Sequence, residues 1–465
     1  MKLKAEVRTD GGEMRSETEV WEYLEQISGS GIVMGLESMR ELMEELGNIQ
    51  NALKVVHVAG TNGKGSVCAL ASSILGQTGI RAGRYTSPAV FDRKEQYQVN
   101  GQNITAHEVV EVFSQVRRAC ENLLAKGRRQ TTVFEVETAA AFLWFYRRRC
   151  QVVVLETGMG GETDATNIIE HPLVSVLTSI SMDHVKFLGN DLVQIAQIKA
   201  GIIKEGCRVV AVKPQQKAVQ KVIEAACREK QAVLSYSEVG KARHVRQCIQ
   251  RGEMRQYFTY PLCRSEKKEH SGDELSLKDN YSEIELFMMG DYQIENAVCA
   301  IETVKTLCDC GFTIRDEDIL MGISQARWEG RFSVLCRQPM FVVDGAHNED
   351  AAKKLAETLK RGFTNRKIIY IIGVLADKAH EEMMEIMLPL AQKVYTVTPN
   401  HPRAMDGQVL AAEAAKYHAC VSYCATVEEA VDRAFSDAGR ENSLILAFGS
   451  LSYLADLQKA VRELV

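Results

Sequence analysis

The stretch Lys54 to Val67, KVVHVAGTNGKGSV, constrains this chain more than any other. The β-formers Val55, Val56 and Val58 run into a loop, Gly60-Thr61-Asn62-Gly63-Lys64-Gly65-Ser66. A helical pattern follows, with Val67, Leu70, Ala71, Ile74 and Leu75 on one face. Strand, glycine-rich loop and helix together build a phosphate cradle. The glycines let backbone N–H groups turn onto phosphate oxygens, and the helix N-terminus adds partial positive charge. Lys64 is spaced to reach terminal phosphates, and Ser66 to contact phosphate or its metal. A tight turn is the plain alternative, and the lysine among the glycines favours the nucleotide. The spacing departs from the common P-loop: Val58 stands five before Gly63, and Gly65 separates Lys64 from Ser66.

The rest of the chain must supply a core for this loop and a partner for its ligand. At 465 residues, two domains are expected. A net charge of −5 gives no reason to expect nucleic acid or a membrane surface as partner. No apolar run is long enough to span a bilayer, and MKLKAEVRTDGGEMRS has charges where a signal peptide needs its apolar core. A cytoplasmic protein is expected. The thirteen cysteines are scattered without a pair of CxxC motifs, so reduced thiols are expected and no zinc site.

In chain order, residues 1–15 read as a loose tail, and Ser16 with Glu19 as a capping box. A second helix carries Leu36, Met39, Leu42, Met43 and Leu46 and stops at Gly47. A strand at 81–86 precedes Ser87-Pro88, and 95–104 reads as a hairpin turning at Asn100-Gly101. Thr105 and Glu108 cap a helix to about Lys126, and Thr132 to Glu135 lead into another. Val152 to Leu155 suits a strand buried on both faces, and 173–180 reads as a further strand. A helix over 191–204 contains Lys199. Residues 208–235 form a strand-helix-strand unit, 264–282 a polar surface loop within a hairpin, and Gly290 opens a helix. Strands at 340–344, 367–373, 393–397, 420–424 and 443–448 alternate with amphipathic helices. The fold expected is α/β: a P-loop-type, mostly parallel sheet domain over 1–328, then a smaller doubly wound, Rossmann-like domain over 329–465.

Open parallel sheets bind ligands at the carboxyl ends of their strands. Besides the cradle, Ser87, Glu156 and Asp183-His184 fall there. Singly they could be a turn residue, a cap and a satisfied histidine. Together they offer a hydroxyl, a carboxylate and an imidazole beside phosphates, a set that suits Mg²⁺. Ser87, Glu156 and His184 are therefore read as metal ligands.

GTNGKGS resembles the ATP loop of the Mur ligase superfamily, and most closely that of folylpolyglutamate and dihydrofolate synthases. The resemblance runs from about Ile32 to Tyr453. Tyr85-Thr86-Ser87-Pro88, Glu156-Thr157-Gly158-Met159-Gly160-Gly161, Asp164-Ala165-Thr166-Asn167, Asp183-His184 and Lys199-Ala200-Gly201-Ile202 are similar to family motifs in the expected order. So are Gly290-x-x-Gln293-x-x-Asn296, Trp328-x-Gly330-Arg331, Asp344-Gly345-Ala346-His347-Asn348, Ala376-Asp377-Lys378, Pro402-Arg403-Ala404 and Gly449-Ser450-Leu451. The resemblance implies ATP and two Mg²⁺ sites, with Lys64, His184 and a carbamylated Lys199 as catalytic groups. Gly60 to Ser66, Asn296, Arg331, Asp344 and His347 would bind ATP, with Asp344 accepting from the ribose hydroxyls. Ile32, Met34, Phe134, Glu135, Thr163 and Asp164 are assigned to the folate side. Tyr292, Glu162, Ile198 and Val185 depart from common family residues, and Glu162 alters the charge beside the folate site.

The activity implied is ATP-dependent addition of L-glutamate to dihydropteroate or a reduced folate through an acyl phosphate, by a monomer. A Mur-type cell-wall ligase would need a further N-terminal domain, for which the segment before Lys54 leaves little room. A nucleotide switch without ligase chemistry would not need the second domain's Asp344 to Asn348.

Overall fold

The structure is a computed structural model that describes residues 14–31, 33–183, 185–250, 253–262, 281–376, 380–439 and 442–465. Short runs of Val, Ile and Leu between turn residues favour pleated, doubly buried strands, and they assemble into two sheets. The first has eight strands: β1 Val55–Ala59, β2 Ala82–Tyr85, β3 Tyr97–Val99, β4 Gln102–Asn103, β5 Val152–Glu156, β6 Val174–Leu177, β7 Arg208–Lys213 and β8 Val233–Glu238. Their order is β4-β3-β2-β5-β1-β6-β7-β8. From β2 to β8 every pairing is parallel; β3 and β4 add an antiparallel edge. The hairpin turns at Asn100 and Gly101, both with positive φ.

Alternation along the central strands divides the interior into two cores. Val55, Val153 and Leu155 face one helical layer; Val56, Val58, Val152 and Val154 face the other. The phosphate-loop helix, Lys64–Gln77, lies in the second layer beside the helix Asp291–Cys308. His57 interrupts the apolar run of β1. It is fully buried, with Nε2 2.9 Å from Thr166 Oγ1, and burial holds it neutral by pushing its pKa down to about 3.

β9 Arg243–Gln250, β10 Glu253–Pro261 and β11 Tyr281–Leu286 form an antiparallel sheet in the order β11-β10-β9. β10 and β11 are the flanks of the hairpin expected around 264–282; nearly all of that loop lies outside the described residues. Residues 326–332 then lead to the second large sheet. Its strands are β12 Ser333–Arg337, β13 Met340–Val343, β14 Lys367–Ile372, β15 Lys393–Thr396, β16 Val421–Tyr423 and β17 Ser443–Phe448. The order is β12-β13-β17-β14-β15-β16, parallel except for β12. Here too neighbouring residues part company: Tyr370 and Ile372 enter one core, Ile369 and Ile371 the other.

Several expectations shift by local detail. Ser16 does accept from Glu19 N, but the Glu19 carboxylate accepts from Arg15 N instead of closing the box on Ser16. The strand expected over 173–180 ends at Leu177, because the chain beyond it turns to the phosphate loop, where Ser179 bridges Asn62. The helix expected over 191–204 is Leu192–Ala200, capped by Asp191. Among the described residues no helix is long and apolar enough to cross a membrane, and every cysteine is a free thiol.

Candidate active site

The phosphate loop needs its glycines for two physical reasons. Gly63 has φ 90°, a region that disfavours side chains, and a Cβ there would fall 2.3 Å from Asn296 Oδ1. At Gly60 a Cβ would fall 1.8 Å from Thr178 Oγ1. The loop is therefore clamped by neighbours that leave no room for a side chain. Thr61 reinforces the clamp: its Oγ1 donates to Ser181 O at 2.9 Å and accepts from Ser181 N at 3.0 Å. Ser66 lies buried in the first turn of the helix that follows.

Two ammonium groups meet on the loop. Lys64 Nζ donates to Gly60 O and Thr61 O, each at 3.3 Å. Lys199 Nζ donates to the same Gly60 O at 2.7 Å. Lys199 is only 3% exposed, so it points neither to solvent nor out along the helix. Burial, and then the charge of Lys64, push its pKa down to about 7, against support from Asp183 and Asp164. Lys199 is thus a lysine with a substantial neutral fraction at neutral pH.

Glu156 ends β5 where the Gly158 loop begins. Its carboxylate is 5% exposed, and among the described residues Oε2 has no hydrogen-bond partner. Burial raises its pKa to about 7, while Lys64, Arg331, the Ser87 N–H and Arg84 pull the other way. A buried oxygen without a partner, beside a phosphate loop and Ser87, fits a hard cation that takes oxygen ligands. His184, the third expected ligand, lies outside the described residues.

The carboxyl edges of the two large sheets face one cavity of about 640 Å³. Thr61 to Ser66, Ser87, Glu156, Asp183 and Asn296 line it from the first sheet's side, and Arg331, Asp344 and His347 from the other. Asp344 is buried. Its Oδ2 accepts from Phe332 N at 2.8 Å and from Tyr292 Oη at 3.4 Å; its Oδ1 accepts from Ala346 N at 2.8 Å. It does not cap the next helix: Asn348 does, accepting from Ala351 N at 2.9 Å. Burial raises the Asp344 pKa, opposed first by Arg331. His347 has Nδ1 2.7 Å from Gly345 O, so Nδ1 carries the proton, and Nε2 faces Asp183 Oδ2 at 4.0 Å.

The expected folate-side residues form a second group. The Phe134 ring lies against Gly158, where a Cβ would fall 2.5 Å from Cζ. Thr163 Oγ1 is 3.9 Å from Sδ of Met34, which is exposed. The Asp164 carboxylate accepts from Met159 N, Thr166 N and Thr166 Oγ1, bracing the glycine loop from beneath. Glu135 has both oxygens engaged: Oε2 closes the capping box with Thr132, and Oε1 takes Arg129 Nη2 at 2.7 Å. Ile32 lies outside the described residues, as do Asp377 and Lys378.

Contacts across the cavity were not anticipated. Asn62 exchanges amide hydrogen bonds with Asn348 and donates to Asp350 Oδ2 at 2.8 Å. Arg93, Ser179 and Lys354 also line the cavity. Asn62 and Asn348 stand in motifs named above, but nothing in their spacing showed that they meet, and Arg93, Ser179, Asp350 and Lys354 belong to none of those motifs.

A phosphate loop on the carboxyl edge of one parallel sheet, closed by an arginine, an aspartate and a histidine from a second, defines an ATP-dependent ligase of the Mur superfamily. Residues 58–304 match the Mur ligase middle domain, and 330–451 the Mur ligase glutamate ligase domain. The Bacillus subtilis dihydrofolate synthase/folylpolyglutamate synthase is 32% identical over 439 residues, covering 93% of this chain and 96% of that protein. The Lacticaseibacillus casei folylpolyglutamate synthase is 33% identical over 369 residues, covering 78% and 81%. Among solved structures, Mycobacterium tuberculosis folylpolyglutamate synthase complexed with ADP and AMPPCP superposes with TM-score 0.82 at 27% identity, covering 96% of this chain and 97% of that one. The E. coli FolC in complex with DHPP and ADP gives 0.78 at 25% identity, covering 97% and 98%. The chain belongs to the folylpolyglutamate synthase/dihydrofolate synthase family.

Proposed function

We propose that this chain joins L-glutamate to the carboxylate of dihydropteroate or of a reduced folate (poly)glutamate, with ATP cleaved to ADP and phosphate. The observation that carries this reading is the single cavity in which the phosphate loop, the unpartnered Glu156 oxygen and Arg331 face one another. A carboxylate is a poor acyl donor, so its oxygen first takes the γ-phosphoryl group as an acyl phosphate. Lys64 and the helix N-terminus hold the negative charge moving through that transfer. The amine of glutamate then attacks the acyl carbon, phosphate leaves with the bonding electron pair, and the amine sheds its proton. Residues from the second sheet cover the reacting groups and keep water from the acyl phosphate.

Glu156 and Ser87 would hold Mg²⁺, with His184 as a further ligand at a second site. Bound there, Mg²⁺ would neutralise phosphate charge. Lys199 supplies a neutral amine that can condense with CO₂, forming a carbamate anion and releasing a proton. Asn296, Arg331, Asp344 and His347 are assigned to ATP. Phe134, Met34, Ile32, Thr163 and Asp164 are assigned to the folate side, with Glu135 the weakest member because its oxygens are already engaged. The working units are 1–328 and 329–465, in a cytoplasmic monomer. ATP turnover that requires a pteroate and glutamate together tests the reaction. Product identity with dihydropteroate and tetrahydrofolate as rival acceptors tests the substrate. The carbamate is tested by Lys199→Ala, which should be nearly inactive and partly restored by short carboxylic acids.

A further inference from the structure

Trp328 stands three residues before Arg331, in the stretch that joins the two large sheets. Its indole touches the phosphate loop directly: a Cβ on Gly65 would fall 2.4 Å from Trp328 Cζ2. The Arg84 guanidinium lies 5.0 Å from the centroid of the same indole. Arg84 sits on β2 and is 7% exposed, and among the described residues its Nε has no hydrogen-bond partner. Burying a cation with an unfilled donor is unfavourable, and the indole face is a compensating partner. A separate cavity of about 440 Å³, lined by Arg84, Trp328, Ser73 and Glu95 but by no residue of the phosphate loop, leaves the indole room to move.

We propose that Arg84 and Trp328 form a positioning couple that links occupancy of the phosphate loop to the placement of Arg331. The proposal rests on the reading that this loop holds the phosphates of ATP. Gly65 has no side chain, so a change in its backbone as N–H groups turn onto phosphate is passed straight to the indole. Arg84 holds the indole from another side and sets where it rests. The linker backbone carries that position three residues on, to Arg331 in the nucleotide cavity. Arg84 lines a different cavity from the nucleotide and meets the indole; its charge also reaches Glu156, a field that Arg84→Lys keeps, so the Trp328 emission is the readout that reports the couple itself.

The chain has three tryptophans, so Trp21→Phe with Trp144→Phe leaves Trp328 as the only one. This variant is titrated with ADP, and ADP binding is measured in parallel by calorimetry. The emission should change and saturate with the calorimetric isotherm. Adding Arg84→Met should abolish the change and raise KM for ATP about tenfold, with KM for the folate acceptor within about twofold. Arg84→Lys keeps a cation and should retain most of the signal and a KM for ATP within about threefold of the parent. Should the double variant not fold, the emission difference between wild type and Trp328→Phe gives the same reading. Should Arg84→Met not fold, Arg84→Gln carries the kinetic comparison, with the same loss of signal and rise in KM for ATP expected. ADP binding without an emission change overturns the couple, as does an Arg84 variant that alters kcat alone or both KM values equally. Absence of ADP binding in calorimetry would instead overturn the phosphate-loop reading beneath it.

Discussion

Two lysines share one carbonyl oxygen, that of Gly60, and their proximity decides how each behaves. Among the described residues Lys64 makes hydrogen bonds to neutral carbonyls of its own loop, so its charge is available to an incoming anion. Lys64→Ala should therefore lower kcat/KM by roughly a hundredfold or more while the melting temperature stays near wild type. Near-normal turnover in a folded variant would contradict its role. Lys199 has the opposite character. Its folded pKa is about 7 against an ordinary 10.5, so between those values the unfolded chain binds a proton that the folded chain does not. Stability must rise with pH across that window, and below pH 7 the full penalty of a buried ammonium applies. Without CO₂, Lys199→Met should raise the melting temperature most near pH 6, with the gain shrinking towards pH 10. A gain independent of pH would mean that Lys199 is neutral throughout. Both lysines were legible in the sequence, one from its glycines and one from a family motif. That they meet was not, because they lie 135 positions apart and nothing periodic joins them.

At the scale of elements, apolar strands ending in a polar residue were the readable signal. β5 with Glu156 and β13 with Asp344 are examples, since doubly buried strands favour nearly continuous apolar runs and open parallel sheets bind ligands at their carboxyl ends. β12 was missed: Ser-Val-Leu-Cys-Arg is short, only partly buried, and antiparallel to its neighbour. The role of Asp344 is also fuller than its motif suggested. Its oxygens tie Phe332 N, at the end of the linker, to Ala346 N in the cavity wall. Asp344→Ala should then raise KM for ATP and also cost about 1–3 kcal/mol of stability, because two N–H groups lose their acceptor. A denaturant melt with ATP kinetics separates the parts. Lost stability with unchanged ATP kinetics would leave Asp344 a brace for the linker and remove it from the ribose.

For the whole molecule, the glycine-rich loop proposed to bind phosphate is also the loop that touches the second sheet's domain. Asn62 meets Asn348 and Asp350 across the cavity, so the two ligand edges are held face to face. Asn62→Ala should weaken that contact, raising KM for ATP severalfold while leaving each sheet's own core intact; an unchanged KM would show that closure does not use it. The central claim is that both edges serve one ligation. It is tested most directly by ATP hydrolysis measured with dihydropteroate alone, glutamate alone and both, with the product identified by mass. The account predicts ADP formation matched by a glutamylated pterin product only when both are present. ATP turnover that is indifferent to the pteroate, or that yields no amide product, would contradict it.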